Sequence, residues 1–187
     1  IMDRAYITPK RIVTKYAGCK NNLIKNEHYL LERGNGQSEM NRKKCCIMTS
    51  TETEKASLLL DFGSELHGGL KLVMGSSSRR EPSLVRIRFG ESVGEANSST
   101  SNSEWKVGFS TDDHAKRDII MEIPRGGMIE IGNTGFRFVR LDLLQNNATI
   151  SLKEISAILR YRDIPYLGSF ECNDQRLNKI WITGAYT

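Results

Sequence analysis

Alternation with a period of two runs through the chain from residue 56 to residue 162, and it leaves little room for anything but strands. Val85, Ile87 and Phe89 fall on one side of an extended chain, and Arg86 and Arg88 on the other. A strand with one buried face produces that pattern; a helix does not. Ile119, Met121 and Ile123 repeat it, as do Ile155, Ala157, Leu159 and Tyr161. The in-phase position slips by one between Leu152 and Ile155, which predicts a bulge near Lys153 and Glu154.

Between these runs lie turn signals. Leu58-Leu59-Leu60-Asp61-Phe62 is a continuous apolar run, as expected for a strand covered on both faces. The glycines from Gly63 to Gly69 read as a turn into the strand Leu70–Met74, and Gly135 reads as the opening of the strand Phe136–Leu143. Residues 1–50 are less regular, with short strands expected at Arg11–Thr14 and Cys45–Met48 and a turn at Gly34-Asn35-Gly36. Many strands, frequent turns and no internal helix predict an all-β fold, a β-sandwich or jelly roll with a short C-terminal α-helix. One long polar segment, from about Ser92 to Thr111, reads as a loop.

That helix begins after Asp163-Ile164-Pro165 ends the last strand. Asn173 suits its N-cap, and Leu177, Ile180 and Trp181 at i, i+3 and i+4 form an apolar stripe that needs a partner. The expected division is a β-sandwich over residues 1–163, then a linker and first helix of a further helical domain over residues 164–187.

With 39% apolar residues the chain can bury a core. Its formal net charge is +5, but Lys and Arg are scattered without interleaved aromatics, which argues against nucleic acid as a partner. No apolar run approaches the roughly 18 residues that span a bilayer, so no membrane is expected, and no signal peptide is visible. The four cysteines lack zinc spacing, and adjacent Cys45 and Cys46 would face opposite ways in a strand; buried, unreactive thiols are expected.

Four segments resemble, in order, the N-terminal region of bacterial α-L-rhamnosidases. They are Asp61-Phe62-Gly63 leading to Gly68-Gly69, Arg88-Phe89-Gly90-Glu91-Ser92, Asn133 through Arg140, and Gly168 through Asp174 followed by Leu177-Asn178-Lys179-Ile180-Trp181. In that family the last segment joins a β-sandwich to the first helix of an (α/α)6 catalytic barrel. The resemblance implies an accessory domain whose partner is its own barrel, a rhamnose-containing glycan as the sugar, a periplasmic or secreted setting and no cofactor. The family's inverting hydrolysis needs two carboxyl groups about 6.5–9.5 Å apart, and both lie in the barrel. No catalytic residue is therefore assigned here, and this chain alone is expected to be inactive.

Candidate ligand contacts are few. Trp105 offers a flat apolar face for a pyranose, or else anchors its loop on the sandwich. Glu65 and His67 sit in the Gly-rich turn, where they either meet a ligand or face water. Asp113 and His114, beside Asp112, invite a metal or acid–base reading, but no second ligand cluster accompanies them and no metal is expected. Of Arg137 and Arg140, which differ in parity, one is expected to pair with a carboxylate. An autonomous carbohydrate-binding module with weak affinity is the alternative function.

Overall fold

The computed structural model describes residues 2–19, 22–40, 42–98 and 117–186. Its strands, all paired antiparallel, are β1 (Asp3–Ile7), β2 (Arg11–Tyr16), β3 (Ile24–Lys25), β4 (Cys46–Thr49), β5 (Ser57–Ser77), β6 (Ser83–Gly90), β7 (Asp118–Ile123), β8 (Gly127–Leu143) and β9 (Thr149–Tyr161). Along the sheet the order is β3-β4-β9-β5-β8-β6-β7, with β1 also on β9 and β2 also on β5. Among the described residues two short α-helices accompany them, α1 (Val93–Asn97) and α2 (Gln175–Tyr186).

The protein is a β-sandwich whose two halves share their longest strands. The first run of β5, Ser57–Asp61, lies between β2 and the end of β8, which continues to β6 and β7. The second run, from Gly68, lies between the start of β8 and β9. Inward residues of both halves meet in one apolar cluster: Leu58, Leu60, Ile87 and Leu141 from the first, Leu70, Leu72, Ile155 and Ala157 from the second. At the crossing, Phe136 makes edge contacts with Phe62 and Phe89, with ring centroids at 5.9 and 4.9 Å.

The fold departs from the sequence reading at the glycines. Neither Gly63–Gly69 nor Gly135 ends a strand; β5 and β8 pass straight through them. Asp61 pairs with Phe138 and Leu66 with Phe136, so four residues of β5 stand opposite Arg137 alone. This excess bends β5 out of one half and into the other. Glycine is required there because backbones approach closely. A Cβ on Gly68, whose φ is +154°, would lie 1.7 Å from the Ile158 carbonyl oxygen. The expected bulge is present: Val73 pairs with Glu154 and Met74 with Leu152, leaving Lys153 unpaired.

The chain also contains internal helical turns. Glu27–Leu31 forms a 3-10 turn, and α1 occupies the start of the supposed loop. Ser92 caps α1 by accepting from the Glu95 amide at 3.2 Å, while the Glu95 carboxylate accepts from the Glu91 amide. The cap of α2 is Asp174 rather than Asn173, its carboxylate accepting from the Arg176 amide at 2.8 Å. Residues 162–174 have no regular structure, and none of α2 is buried.

Gly68→Ala should destabilise the fold by roughly 3 kcal/mol, combining backbone strain with a steric clash. Gly127→Ala also occupies a positive φ, +101°, but nothing lies within 4 Å of its Cβ position, so it should cost only about 1 kcal/mol. Urea unfolding midpoints of the two variants check the contrast.

Candidate functional site

The crossing is organised by a buried carboxylate. Asp61 is 1% exposed. It accepts two bonds from Arg137, at 2.8 and 3.0 Å, one from Arg11 at 2.9 Å and one from the Gly63 amide at 2.8 Å. Hydrogen bonds from Arg137 lead the causes that hold its carboxyl well below the usual range; burial opposes them, and Gly63 and Arg11 add to them. Arg140 also has a carboxylate partner, Asp142 at 2.9 Å. Both arginines are paired, where one pairing was expected.

Glu65 and His67 come together on the bulged part of β5, and both are exposed. His67 pairs with Gly135 across the ladder, and the Glu65 and Glu91 carboxylates lie within 4 Å of where a Cβ of Gly135 would stand. The Tyr186 hydroxyl donates to the Glu65 carbonyl at 2.7 Å, tying the end of α2 to this segment. Leu177, Ile180 and Trp181 are 46%, 60% and 36% exposed, and the stripe has no apolar cover. Trp105, Asp113 and His114 lie outside the described residues. Cys46 sits in the core, where burial pushes its thiol up to about 12; Cys45 is buried on the opposite side, and burial raises it too. Among the described residues no group of three or more His, Cys, Asp or Glu side chains could hold a metal ion, and no helix is long and apolar enough to cross a membrane.

A feature the sequence reading missed is an open cleft of about 330 Å3 on the outer face of the first half. Strand register builds its floor. Tyr16 pairs with Ser57, Ser57 with Asp142 and Asp142 with Arg86, which makes one row across four strands. Arg140 and Arg88 pair in the next row. Thr53, Glu54, Lys55 and Leu144 complete the lining.

Asp142, 6% exposed, is shared by Arg88 at 2.6 Å and Arg140 at 2.9 Å. Burial pushes its carboxyl up, but bonds from Ser57, Arg140 and Arg88 outweigh burial, so its pKa is lowered and it stays ionised. Arg86 takes Asp118 as its partner, and bonding to that carboxylate raises the guanidinium's pKa. Arg88 also donates to the carbonyls of Asn97 and Ser98, at 3.0 and 3.2 Å. At the other end Glu54 accepts from the Cys19 amide at 2.9 Å and the Tyr16 hydroxyl at 3.3 Å. Only outward-facing Arg86 and Arg88, with Arg140 two residues before Asp142, signalled this cleft in the sequence.

No protein-family profile matches the chain, and no curated protein sequence matches it. Solved structures do share its fold. A rhamnosidase from Klebsiella oxytoca, with rhamnose bound, overlays with a TM-score of 0.59 at 16% identity, over 96% of this chain and 33% of that one. A GH78 family rhamnosidase of a Bacillus species overlays with a TM-score of 0.51 at 18% identity, over 74% of this chain and 13% of that one. A fucolectin from striped bass serum gives 0.47 at 15% identity, over 73% and 42%, an overlap too slight to bear on function. The chain thus spans a third or less of the rhamnosidases whose fold it shares.

Asp61→Asn should cost roughly 1–2 kcal/mol at neutral pH, by replacing charge-assisted bonds to a buried carboxylate with weaker ones from donors that water can partly solvate. The pH dependence has a definite sign. A carboxyl depressed in the folded state stabilises it fully above the unfolded value, about 4, and that stabilisation is lost as pH falls toward the folded value. The stability of the parent should therefore decline below about pH 4 more steeply than that of Asp61→Asn. Urea titrations across that range check both the offset and the slope.

Proposed function

We propose that this chain is the N-terminal accessory β-sandwich of an α-L-rhamnosidase-like glycoside hydrolase, docking on and supporting a helical catalytic barrel. The observation that carries this reading is the uncovered apolar surface of the linker and α2. Leu167, Leu177, Ile180 and Trp181 are exposed on a segment that buries nothing in the sandwich. Burying a side chain of this kind is worth about 1.5–3 kcal/mol, which favours a packed partner. The shared fold with two rhamnosidases is consistent with it. The setting proposed with this role is periplasmic or secreted, and the glycan is one that contains rhamnose.

Co-expression with a helical domain encoded by the same gene tests the role. The two should co-purify, and Leu177→Asp with Trp181→Asp should separate them. A gene that encodes no such domain, or co-purification unaffected by those substitutions, overturns the proposal. Alone, this chain should release nothing above background from an aryl α-L-rhamnoside.

Autonomous weak carbohydrate binding is a second reading, favoured by the polar cleft beside the half-exposed Tyr16 ring. Either way, the sandwich should stand without its tail. Ending the chain after residue 163 should change the unfolding free energy by less than about 0.5 kcal/mol, since the lost residues leave no core position empty. Chemical denaturation of the shortened chain measures this.

A further inference from the structure

We infer that the cleft on the outer face of the β2–β5–β8–β6 half binds a monosaccharide bearing a carboxylate, a hexuronate. This rests on the carbohydrate-binding reading and extends it by fixing where the sugar sits and what charge it carries.

The first argument is charge. Among the described residues two guanidiniums on the floor, those of Arg88 and Arg140, share a single carboxylate, Asp142, while Arg86 pairs with Asp118. Lys55 and Glu54 on the wall offset one another in charge. The remaining bonds of Arg88 and Arg140 end on neutral oxygens, the Asn97 and Ser98 carbonyls and the Asn97 side chain. Arg88 is 7% exposed, whereas the Arg140 side chain is 30% exposed and is the guanidinium that a ligand in the cleft can reach. One more carboxylate at this end would balance the floor, and guanidiniums bind that group with two parallel bonds.

The second argument is shape. A volume of about 330 Å3 lies at the low end for small-molecule sites, about 300–1,000 Å3, and suits one sugar ring rather than a chain. Tyr16 presents a ring that is 50% exposed, a flat apolar wall of the kind a pyranose covers. Glu54, Thr53 and Ser57 stand beside it as hydroxyl partners. Glu54 repels a second carboxylate and the arginines attract one, so the site is polarised. Hydroxyls belong at the Tyr16–Glu54 end and the carboxylate belongs over Arg140.

The test is an NMR titration of the labelled chain with D-glucuronate, D-glucose, L-rhamnose and acetate. D-glucuronate should saturate in the millimolar range, shift the amides around Ser57 and Arg140, and weaken as salt is raised. D-glucose, L-rhamnose and acetate should each bind these residues at least about tenfold more weakly. Arg140→Gln should weaken D-glucuronate by a similar factor. Tyr16→Ala should weaken D-glucuronate but leave the response to acetate as it was. Tyr16 is exposed, so that variant decides the matter should Arg140→Gln fail to fold. Equal binding of acetate and D-glucuronate would mean a bare anion site and overturn the inference. Binding of a neutral sugar without D-glucuronate would overturn it and leave carbohydrate binding intact. No response to any sugar would overturn both.

Discussion

The Asp61 carboxylate, buried where β5 crosses between the two halves, holds the rest of the sandwich in register. It joins three strands at one point: Arg11 of β2, Arg137 of β8 and its own backbone at Gly63. Four residues of β5 stand opposite Arg137, and without a fixed point that excess could be placed elsewhere along the ladder. Each one-residue slip would turn every inward side chain outward. The ion pairs fix the position, the Phe62, Phe89 and Phe136 rings fill the inside of the bend, and Gly68 lets the backbone of β9 come close. The row of Tyr16, Ser57, Asp142 and Arg86 inherits its alignment from that register.

The sequence disclosed most where one face of a strand is buried and the other is wet. Val85, Ile87 and Phe89 against Arg86 and Arg88 are an example, and even the unpaired Lys153 showed as a slip in phase. It misled where a strand bends. Gly63, Gly68, Gly69 and Gly135 carry the bend of β5 and β8, but in a sequence they are indistinguishable from turn glycines. The short strands β1 and β3 offer too few residues for a period to show. The cap of α1, Ser92 with Glu95, was present but lay in a stretch whose Ser, Asn and Thr content suggested only loop.

The site was less legible than the fold, for a related reason. Glu65 and His67 remain together because neighbours in sequence remain neighbours on a strand, but the segment is part of β5 and not the turn expected. The cleft draws on Tyr16, on Ser57 and the residues just before it, on Arg86 and Arg88, and on Arg140, Asp142 and Leu144, which come together only through pairing partners far apart in the chain. Outward-facing arginines on a strand are ordinarily solvated, and nothing local distinguishes Arg88, which Asp142 and the Asn97 and Ser98 carbonyls enclose. Burial of a charge is a property of the fold, not of the pattern.

The two surfaces assigned a role occupy different parts of the same strand. Tyr186 reaches β5 at Glu65, beyond the bulge, whereas the floor of the cleft begins at Ser57. The regular run from Ser57 to Asp61 alone separates them by about 13 Å at the usual strand rise, and the bulge adds to that. A partner seated on α2 therefore need not cover the cleft, and a sugar in the cleft touches nothing that holds α2. Support of a catalytic domain and capture of an acidic sugar are then compatible in one molecule. The register fixed by Asp61 keeps the cleft assembled independently of the linker and α2, which bury nothing in the sandwich.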